Sequence, residues 1–279
     1  MSVGDEAAAR RDSVLGRLYD VRGLGAVVTG AASGLGRAIA EVLAETGARV
    51  TLADADAEGL AKVAEEFAGQ GLPVRTYEVD ITDRDRARAL MDDAVGAYGR
   101  LDVVFANAGI GGGPSYARPE GWVDRLPRER WDRVVDVNLN GTYHTLAAAA
   151  AVMRPRRHGK IILTASTAGL RADPMVSYAY VAAKAAVVNV ARQAALELAP
   201  HGIHVNAIAP GPFRTNIGGA RGRQPEAQAA WARTIPLGRM ADPEEIKGLA
   251  LLLASPASSF MTGAVYPIDG GALTLAHAL

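Results

Sequence analysis

Short apolar runs alternate with longer stretches of helical apolar rhythm along nearly the whole chain. The runs lie at 25–30, 49–54, 74–79, 102–106, 160–165, 204–209 and 264–268 and are rich in Val, Ile and Ala. Their length and composition mark them as strands, mostly buried ones. The stretches between them, at 37–46, 56–68, 83–98, 128–153, 177–198 and 243–254, repeat apolar residues every three or four positions. That spacing puts the apolar residues on one helical face. Strict alternation of strand and helix requires a parallel sheet covered on both faces, because each crossover lays a helix on the sheet. The pattern predicts an α/β fold with one doubly wound, seven-stranded parallel sheet over residues 23–279, after an extension at 1–22 that is helical around 6–18.

Three places break the rhythm. A Gly- and Pro-rich loop follows the fourth run at 109–118, and residues 213–237 contain Gly218-Gly219 and Arg221-Gly222-Arg223 with a short helix around 225–233. The second of these predicts a small substrate lid. The third lies inside the helix predicted at 128–153, where Asn138 and Gly141 are weak helix formers. They predict a local distortion that frees a carbonyl or positions a water.

Composition narrows the class. The 30 basic and 30 acidic residues of the 279 cancel, which argues against a nucleic-acid or membrane-surface partner. The basic cluster Arg154-Pro155-Arg156-Arg157-His158 follows a predicted helix and reads as a solvated complement to its dipole. There is no cysteine, no long uncharged apolar span and no leader-like apolar core in the first 22 residues. A soluble, cytoplasmic protein acting on a small molecule is the expectation. The five histidines are scattered, so no metal site is expected, and neither a phosphate-binding Gly-x-x-x-x-Gly-Lys loop nor a Gly-x-Ser-x-Gly elbow is present.

The candidate chemistry centres on Tyr180 and Lys184, four residues apart on one face of the helix predicted at 177–198. Moving a phenol from pKa ~10 to ~7 takes about 4 kcal/mol, and one cation ~4 Å away supplies about that at an effective dielectric near 20. The pair is therefore expected to make Tyr180 an acid–base group near neutral pH. Thr29-Gly30-Ala31-Ala32-Ser33-Gly34-Leu35-Gly36 falls at the first strand–helix junction, where glycines let the backbone approach a pyrophosphate. Asp54 ends the second run; it could accept the adenosine ribose hydroxyls and repel a 2′-phosphate, favouring NAD, or could cap the next helix with Asp56. Asn107-Ala108-Gly109 follows the fourth run, at the sheet edge where ligands of such folds lie.

These residues converge on a family. Over 24–273 the chain resembles the short-chain dehydrogenases/reductases, through Thr29-Gly30-x-x-x-Gly34-x-Gly36, Asp80, Asn107-Ala108-Gly109, Asn138, Ser166, Tyr180-x-x-x-Lys184, Pro210-Gly211 and Asp269-Gly270-Gly271. The resemblance implies a Rossmann-type catalytic domain that binds NAD and interconverts a secondary alcohol and a ketone. It makes Tyr180 the general acid–base, with Lys184 lowering its pKa and holding the nicotinamide ribose. Ser166 would bond the substrate oxygen, and Asn138 would hold a water leading from Lys184 to solvent. Asp80 and Ile81 would contact adenine, Asn107 the nicotinamide side, and Pro210-Gly211 with Thr215 the carboxamide. Ser33, Leu35, Ala108, Gly109 and Phe213 complete the implied cofactor set.

Ser166 stands one residue further from Tyr180 than is commonest in the family, so Thr167 is held as its alternate, and the extra residue is placed in 170–176. Tyr116, Trp122, Tyr178 and Trp231 are candidate substrate walls or surface packing. Arg214, Arg221 and Arg223 could meet an anionic substrate or be solvated lid charges. A homotetramer is expected, with the flat alanine run at 147–151 as an interface or as packing on the sheet. An NADP-dependent 3-oxoacyl-type ketoreductase and a non-catalytic NAD-sensing protein stand as the alternatives.

Overall fold

The computed structural model describes residues 13–219 and 224–275. Its seven strands are β1 (Gly25–Thr29), β2 (Arg49–Asp54), β3 (Val74–Glu78), β4 (Val103–Ala106), β5 (Gly159–Thr164), β6 (Ile203–Pro210) and β7 (Val265–Ile268). They form one parallel sheet in the order β3-β2-β1-β4-β5-β6-β7. The chain starts in the middle, winds outward to β3, then returns to lay β4 on the other side of β1. That reversal opens a crevice at the carboxyl ends of β1 and β4.

Side chains alternate across the sheet, so each strand feeds two cores. On one face Val27, Val104 and Ile161 pack under α4 (Arg84–Tyr98), α6 (Thr142–Met153) and α7 (Tyr178–Leu198), through Leu90, Leu146, Met153 and Val187. On the other, Val28, Phe105 and Ile162 pack under α2 (Gly34–Glu45), α3 (Ala57–Gly69) and α8 (Lys247–Ala254), through Leu43, Phe67 and Leu253. Phe105 is fully buried, and truncating such a residue to Ala costs roughly 3–5 kcal/mol.

Local chemistry sets the helix ends. Asp56, Asp83 and Ser177 accept hydrogen bonds from first-turn amides of α3, α4 and α7, and Gly99 ends α4 in the left-handed region at φ 72°. Asp56, not Asp54, is therefore the cap of α3.

Several predicted boundaries shift. Helix α2 begins at Gly34 rather than at 37, so the glycine turn feeds directly into its first turn. Strand β3 is an edge strand with mostly exposed or half-exposed residues, not a buried run. The helix predicted at 128–153 is α5 (Arg128–Val135), a π-helical segment (Asp136–Gly141) and α6, running on without a break. In the alanine run Ala148 and Ala149 face the core while Ala151 is exposed, so only part of it could meet a partner. In the extension only α1 (Val14–Leu18) is described; residues 1–12, Arg221, Gly222, Arg223 and 276–279 lie outside the described residues. Among the described residues no helix is long and apolar enough to cross a membrane.

Candidate active site

Three strand ends are tied together at the crevice by one asparagine. Asn107 donates through Nδ2 to the Thr29 carbonyl at 3.1 Å and accepts from the Thr164 hydroxyl at 3.1 Å. The Thr29 hydroxyl accepts from the amides of Asn107 and Ala108 at 3.0 and 3.1 Å. Both groups of the Asn107 side chain are thus engaged in fixing the edge from which the site is built. The sequence assigned Asn107 to the nicotinamide side, gave Thr29 only as the first residue of the glycine motif and gave Thr164 no role, although its position at a strand end was the available signal.

The glycine turn is defined by close approach. A Cβ on Gly36 would sit 2.1 Å from the Gly30 carbonyl oxygen, and one on Gly30 would sit 2.7 Å from the Ala108 Cα. Gly30 and Gly34 also adopt positive φ, 71° and 57°. Ser33 stands at the N-cap of α2 without a side-chain capping bond, and Leu35 follows in its first turn. Asp54 braces the turn: its carboxylate accepts from the Ala32 amide at 3.0 Å and the Asp56 amide at 3.1 Å. The result is a backbone cradle at a helix N-terminus, beside a carboxylate at the end of β2. A dinucleotide pyrophosphate and its ribose need those groups.

Tyr180 and Lys184 share a face of α7, as their spacing predicts. The Lys184 Nζ lies 5.8 Å from the Tyr180 ring centroid and donates to the Thr164 carbonyl at 2.7 Å. Lys184 is 2% exposed, and burial lowers its pKa to about 8. The expected lowering of the phenol by this ammonium is not what the structure shows. Burial pushes Tyr180 up, its hydrogen bond with Ser166 pulls it down, and the Asp173 carboxylate pushes it up again. The apolar surroundings disfavour charge on the phenol and the amine alike.

Ser166 and not Thr167 meets the phenol. Ser166 caps the short turn Thr167–Gly169 and lies close enough to the phenol to lower its pKa, whereas the Thr167 hydroxyl reaches back to the Pro210 carbonyl. Gly169 then crosses α7 so closely that a Cβ would lie 2.6 Å from the Lys184 carbonyl.

Asn138 is fully buried in the π-helical segment, and its amide clamps a backbone. Its Nδ2 donates to the Ile110 carbonyl at 2.9 Å, and its Oδ1 accepts from the Ile110 amide at 2.8 Å. The widened turn shifts the helical bonding, and threonines take up two carbonyls: Thr142 donates to that of Asn138 and Thr145 to that of Gly141. The distortion expected from Asn138 and Gly141 is there, and it is spent on holding a loop.

That loop is the element the sequence reading described least. A Cβ on Gly109 would lie 2.8 Å from the Asn138 Oδ1, and one on Gly111 would lie 2.3 Å from the Ile217 carbonyl. On Gly112 it would strike the Ser177 Oγ at 1.8 Å and the Tyr180 Cβ at 3.0 Å. The glycines let the loop run between Lys184, Tyr180 and Ile217. Thr215 lies over Gly34, its Cβ 3.4 Å from where a Gly34 side chain would begin.

The surroundings of the other candidate residues are as follows. The Phe213 side chain is buried in the core with Ile246 and Ala250, so it offers a ligand only backbone. Ile81 packs against Gly141, leaving backbone alone to reach a ligand there too, while an Asp80 oxygen is taken by the Thr82 amide and hydroxyl. Gly211 lies on Asp269, where a Cβ would come within 2.8 Å, so the Pro210-Gly211 turn rests on the start of the Asp269-Gly270-Gly271 stretch. Arg214 pairs bidentately with Asp242. Trp231 packs on Ile235, Met240 and Ala272, whereas Tyr116, Trp122 and Tyr178 remain substantially exposed.

The chain matches a family model described as enoyl-(acyl carrier protein) reductase over residues 30–273. It is 40% identical over 246 residues to a cis-4-hydroxycyclohexanecarboxylate dehydrogenase of Sinomonas cyclohexanicum, covering 88% of this chain and 95% of the relative. A 3-oxoacyl-(acyl-carrier-protein) reductase FabG of Thermotoga maritima is 37% identical over 246 residues, with 88% and 96% covered. A solved short-chain type dehydrogenase/reductase from Mycobacterium marinum superimposes with a TM-score of 0.85 at 39% identity, covering 91% of this chain and 97% of that one.

Proposed function

Because the chain belongs to the short-chain dehydrogenase/reductase family, we propose that it interconverts a secondary alcohol and a ketone with NAD(H), Tyr180 exchanging the proton. The family makes it an NAD(P)-dependent oxidoreductase; the choice of dinucleotide, the residue roles and the substrate are the parts proposed. The observation that carries the reading is the meeting of Tyr180, Ser166 and Lys184 beside a cradle that admits backbone only.

When bound, the nicotinamide supplies or accepts the hydride. The chain's own residues do the rest. Gly30, Gly34 and Gly36 let the turn approach the pyrophosphate, with Ser33 and Leu35 at the start of α2. The free lone pairs of Asp54 suit ribose hydroxyls, and its charge disfavours a 2′-phosphate. Asp80, the backbone at Ile81, Ala108, Gly109, the Pro210-Gly211 turn, the backbone at Phe213, and Thr215 line the remaining length. Tyr180, kept protonated at neutral pH by burial, gives its proton to the oxygen of a ketone being reduced, while Ser166 donates to that oxygen as charge develops. In oxidation the phenol must first lose its proton, so that direction gains at alkaline pH. Lys184 holds a cation, or a hydrogen-bond donor above pH 8, beside the ring. Asn138 keeps the Gly109–Ile110 backbone in register.

The test is turnover of an alcohol panel with NAD and with NADP, read by absorbance of the reduced nicotinamide. Tyr180→Phe should lower kcat by on the order of 10³-fold while leaving the dissociation constant for the dinucleotide within a few fold. Tight binding with no turnover across the panel would sink the reading. An NADP-dependent 3-oxoacyl-type ketoreductase is the second reading, supported by the likeness to FabG; a lower KM for NADP than for NAD decides for it. The exposed Trp131, Tyr143 and Leu196 on the outer helices support a homotetramer, which sedimentation checks.

A further inference from the structure

Beyond Gly112 the loop that joins β4 to α5 builds a cavity to which no role has yet been given. It measures about 370 Å³ and is lined by Pro114, Pro119, Glu120, Arg125, Pro127 and Arg130. That volume suits a small organic molecule. Its walls are set rather than loose. Three of the lining residues are prolines with fixed φ, and Gly121 abuts Ser115 so closely that a Cβ would lie 2.1 Å from its carbonyl oxygen. The amides of Arg118, Trp122 and Arg130 donate to the carbonyls of Ser115, Pro119 and Pro127, which closes successive turns along the wall.

Two guanidiniums line this cavity without a carboxylate of their own. Arg125 lies over the Trp122 ring at 4.8 Å, and Arg130 rests on Gly113, where a Cβ would strike its Nη1 at 2.0 Å. Neither side chain forms an ion pair or hydrogen bond among the described residues, whereas Arg128, between them in sequence, is taken by Asp132. Glu120 is the one carboxylate in the lining against these two cations, so the cavity is net positive. An indole face holds a guanidinium by its flat side and leaves the N–H edge open to an oxyanion. The proline rings offer apolar contact to the body that carries that anion.

We propose that this cavity binds an organic anion, a carboxylate or phosphate on an apolar body, with Arg125 and Arg130 holding the charge. The anion is either a ligand in its own right or the far end of a substrate whose carbinol sits at Tyr180. The loop's close contacts allow the second source. Traced from the Arg130 guanidinium through Gly113 and Gly112 to the Tyr180 Cβ, the separation is at most about 12 Å.

The experiment titrates benzoate and phenyl phosphate into the protein by calorimetry, with dinucleotide saturating so that the glycine turn is filled. Benzyl alcohol and inorganic phosphate stand for the apolar body alone and the anion alone. Both organic anions should bind saturably, and each control at least about tenfold more weakly. Arg125→Gln and Arg130→Gln should each weaken the organic anions by on the order of tenfold, and the double variant should abolish binding. Both side chains are exposed, so the melting temperatures of the variants should stay within a few degrees of the unaltered protein. No saturable binding of either organic anion, or binding that survives the double substitution, overturns the inference.

The source of the anion is read from kcat/KM for 6-hydroxyheptanoate against heptan-2-ol. A preference for the acid that the double variant loses assigns the site to the substrate. Equal values with calorimetric binding intact assign it to a separate ligand. This arm alone rests on the dehydrogenase reading: no turnover of either alcohol, nor of the wider panel, counts against that reading, and the calorimetry still decides the site.

Discussion

Replacing Lys184 with Met tests the claim that a cation is buried beside Tyr180. The lysine is 2% exposed, and its pKa falls from the ordinary 10.5 to about 8 through desolvation. Each factor of ten in proton affinity is about 1.4 kcal/mol, so the folded chain disfavours the ammonium by roughly 3 kcal/mol. The sign follows from proton binding. Below pH 8 the amine is protonated both folded and unfolded, and the folded state carries the whole penalty. Between pH 8 and 10.5 the unfolded chain holds more protons, so stability rises with pH through that window. Met has nothing to titrate. Its loss of the bond to the Thr164 carbonyl costs roughly 1–3 kcal/mol, but equally at every pH. The stability of Lys184→Met relative to the unaltered protein should therefore fall by about 3 kcal/mol from pH 7 to pH 10.5. Urea unfolding followed by circular dichroism at stepped pH measures this. Lys160, also lowered to about 8 by burial, and the tyrosines titrate in both proteins and cancel in the difference. A difference that stays flat across the window would refute the reasoning, because the amine would then not be desolvated in the folded chain.

Further predictions follow from the site's geometry. Ser166→Ala should lower kcat at least tenfold and Thr167→Ala only a few fold, since Ser166 stands by the phenol while the Thr167 hydroxyl is turned to the Pro210 carbonyl; steady-state kinetics on both variants distinguishes them. Asn138→Ala leaves the Ile110 amide and carbonyl without their partners and should cost roughly 2–4 kcal/mol, read as a lowered urea midpoint together with lost activity. Gly112→Ala puts a methyl 1.8 Å from the Ser177 Oγ and 3.0 Å from the Tyr180 Cβ, so it should lower kcat sharply, as steady-state kinetics will read. The rate of alcohol oxidation should rise with pH through an alkaline midpoint, because burial and Asp173 both raise Tyr180. Asp173→Asn should move that midpoint down, and a midpoint at or below neutrality in the unaltered enzyme would contradict the assignment.

What can be read from the chain alone is whatever depends on period and order. Alternating apolar runs and helical stretches determine a parallel sheet covered by helices, because such strands must bury both faces, while the open order β3-β2-β1-β4-β5-β6-β7 belongs to the fold. The order of the motifs places the glycine turn, Asp54 and Asn107 at strand ends, and a separation of four puts Tyr180 and Lys184 on one helical face. What the sequence leaves open is anything set by distance between segments far apart along the chain. Asn138 looks like a helix defect until the Ile110 backbone is brought to it, and Asp54 shows no link to Ala32 until β1 and β2 pair. The phenol's acidity is the clearest case. Spacing brings a cation near, but the folded environment removes water from both groups, and desolvation outweighs the attraction that sequence reasoning assigned to the pair. Proximity along a helix is local, whereas dielectric surroundings are made by the whole fold.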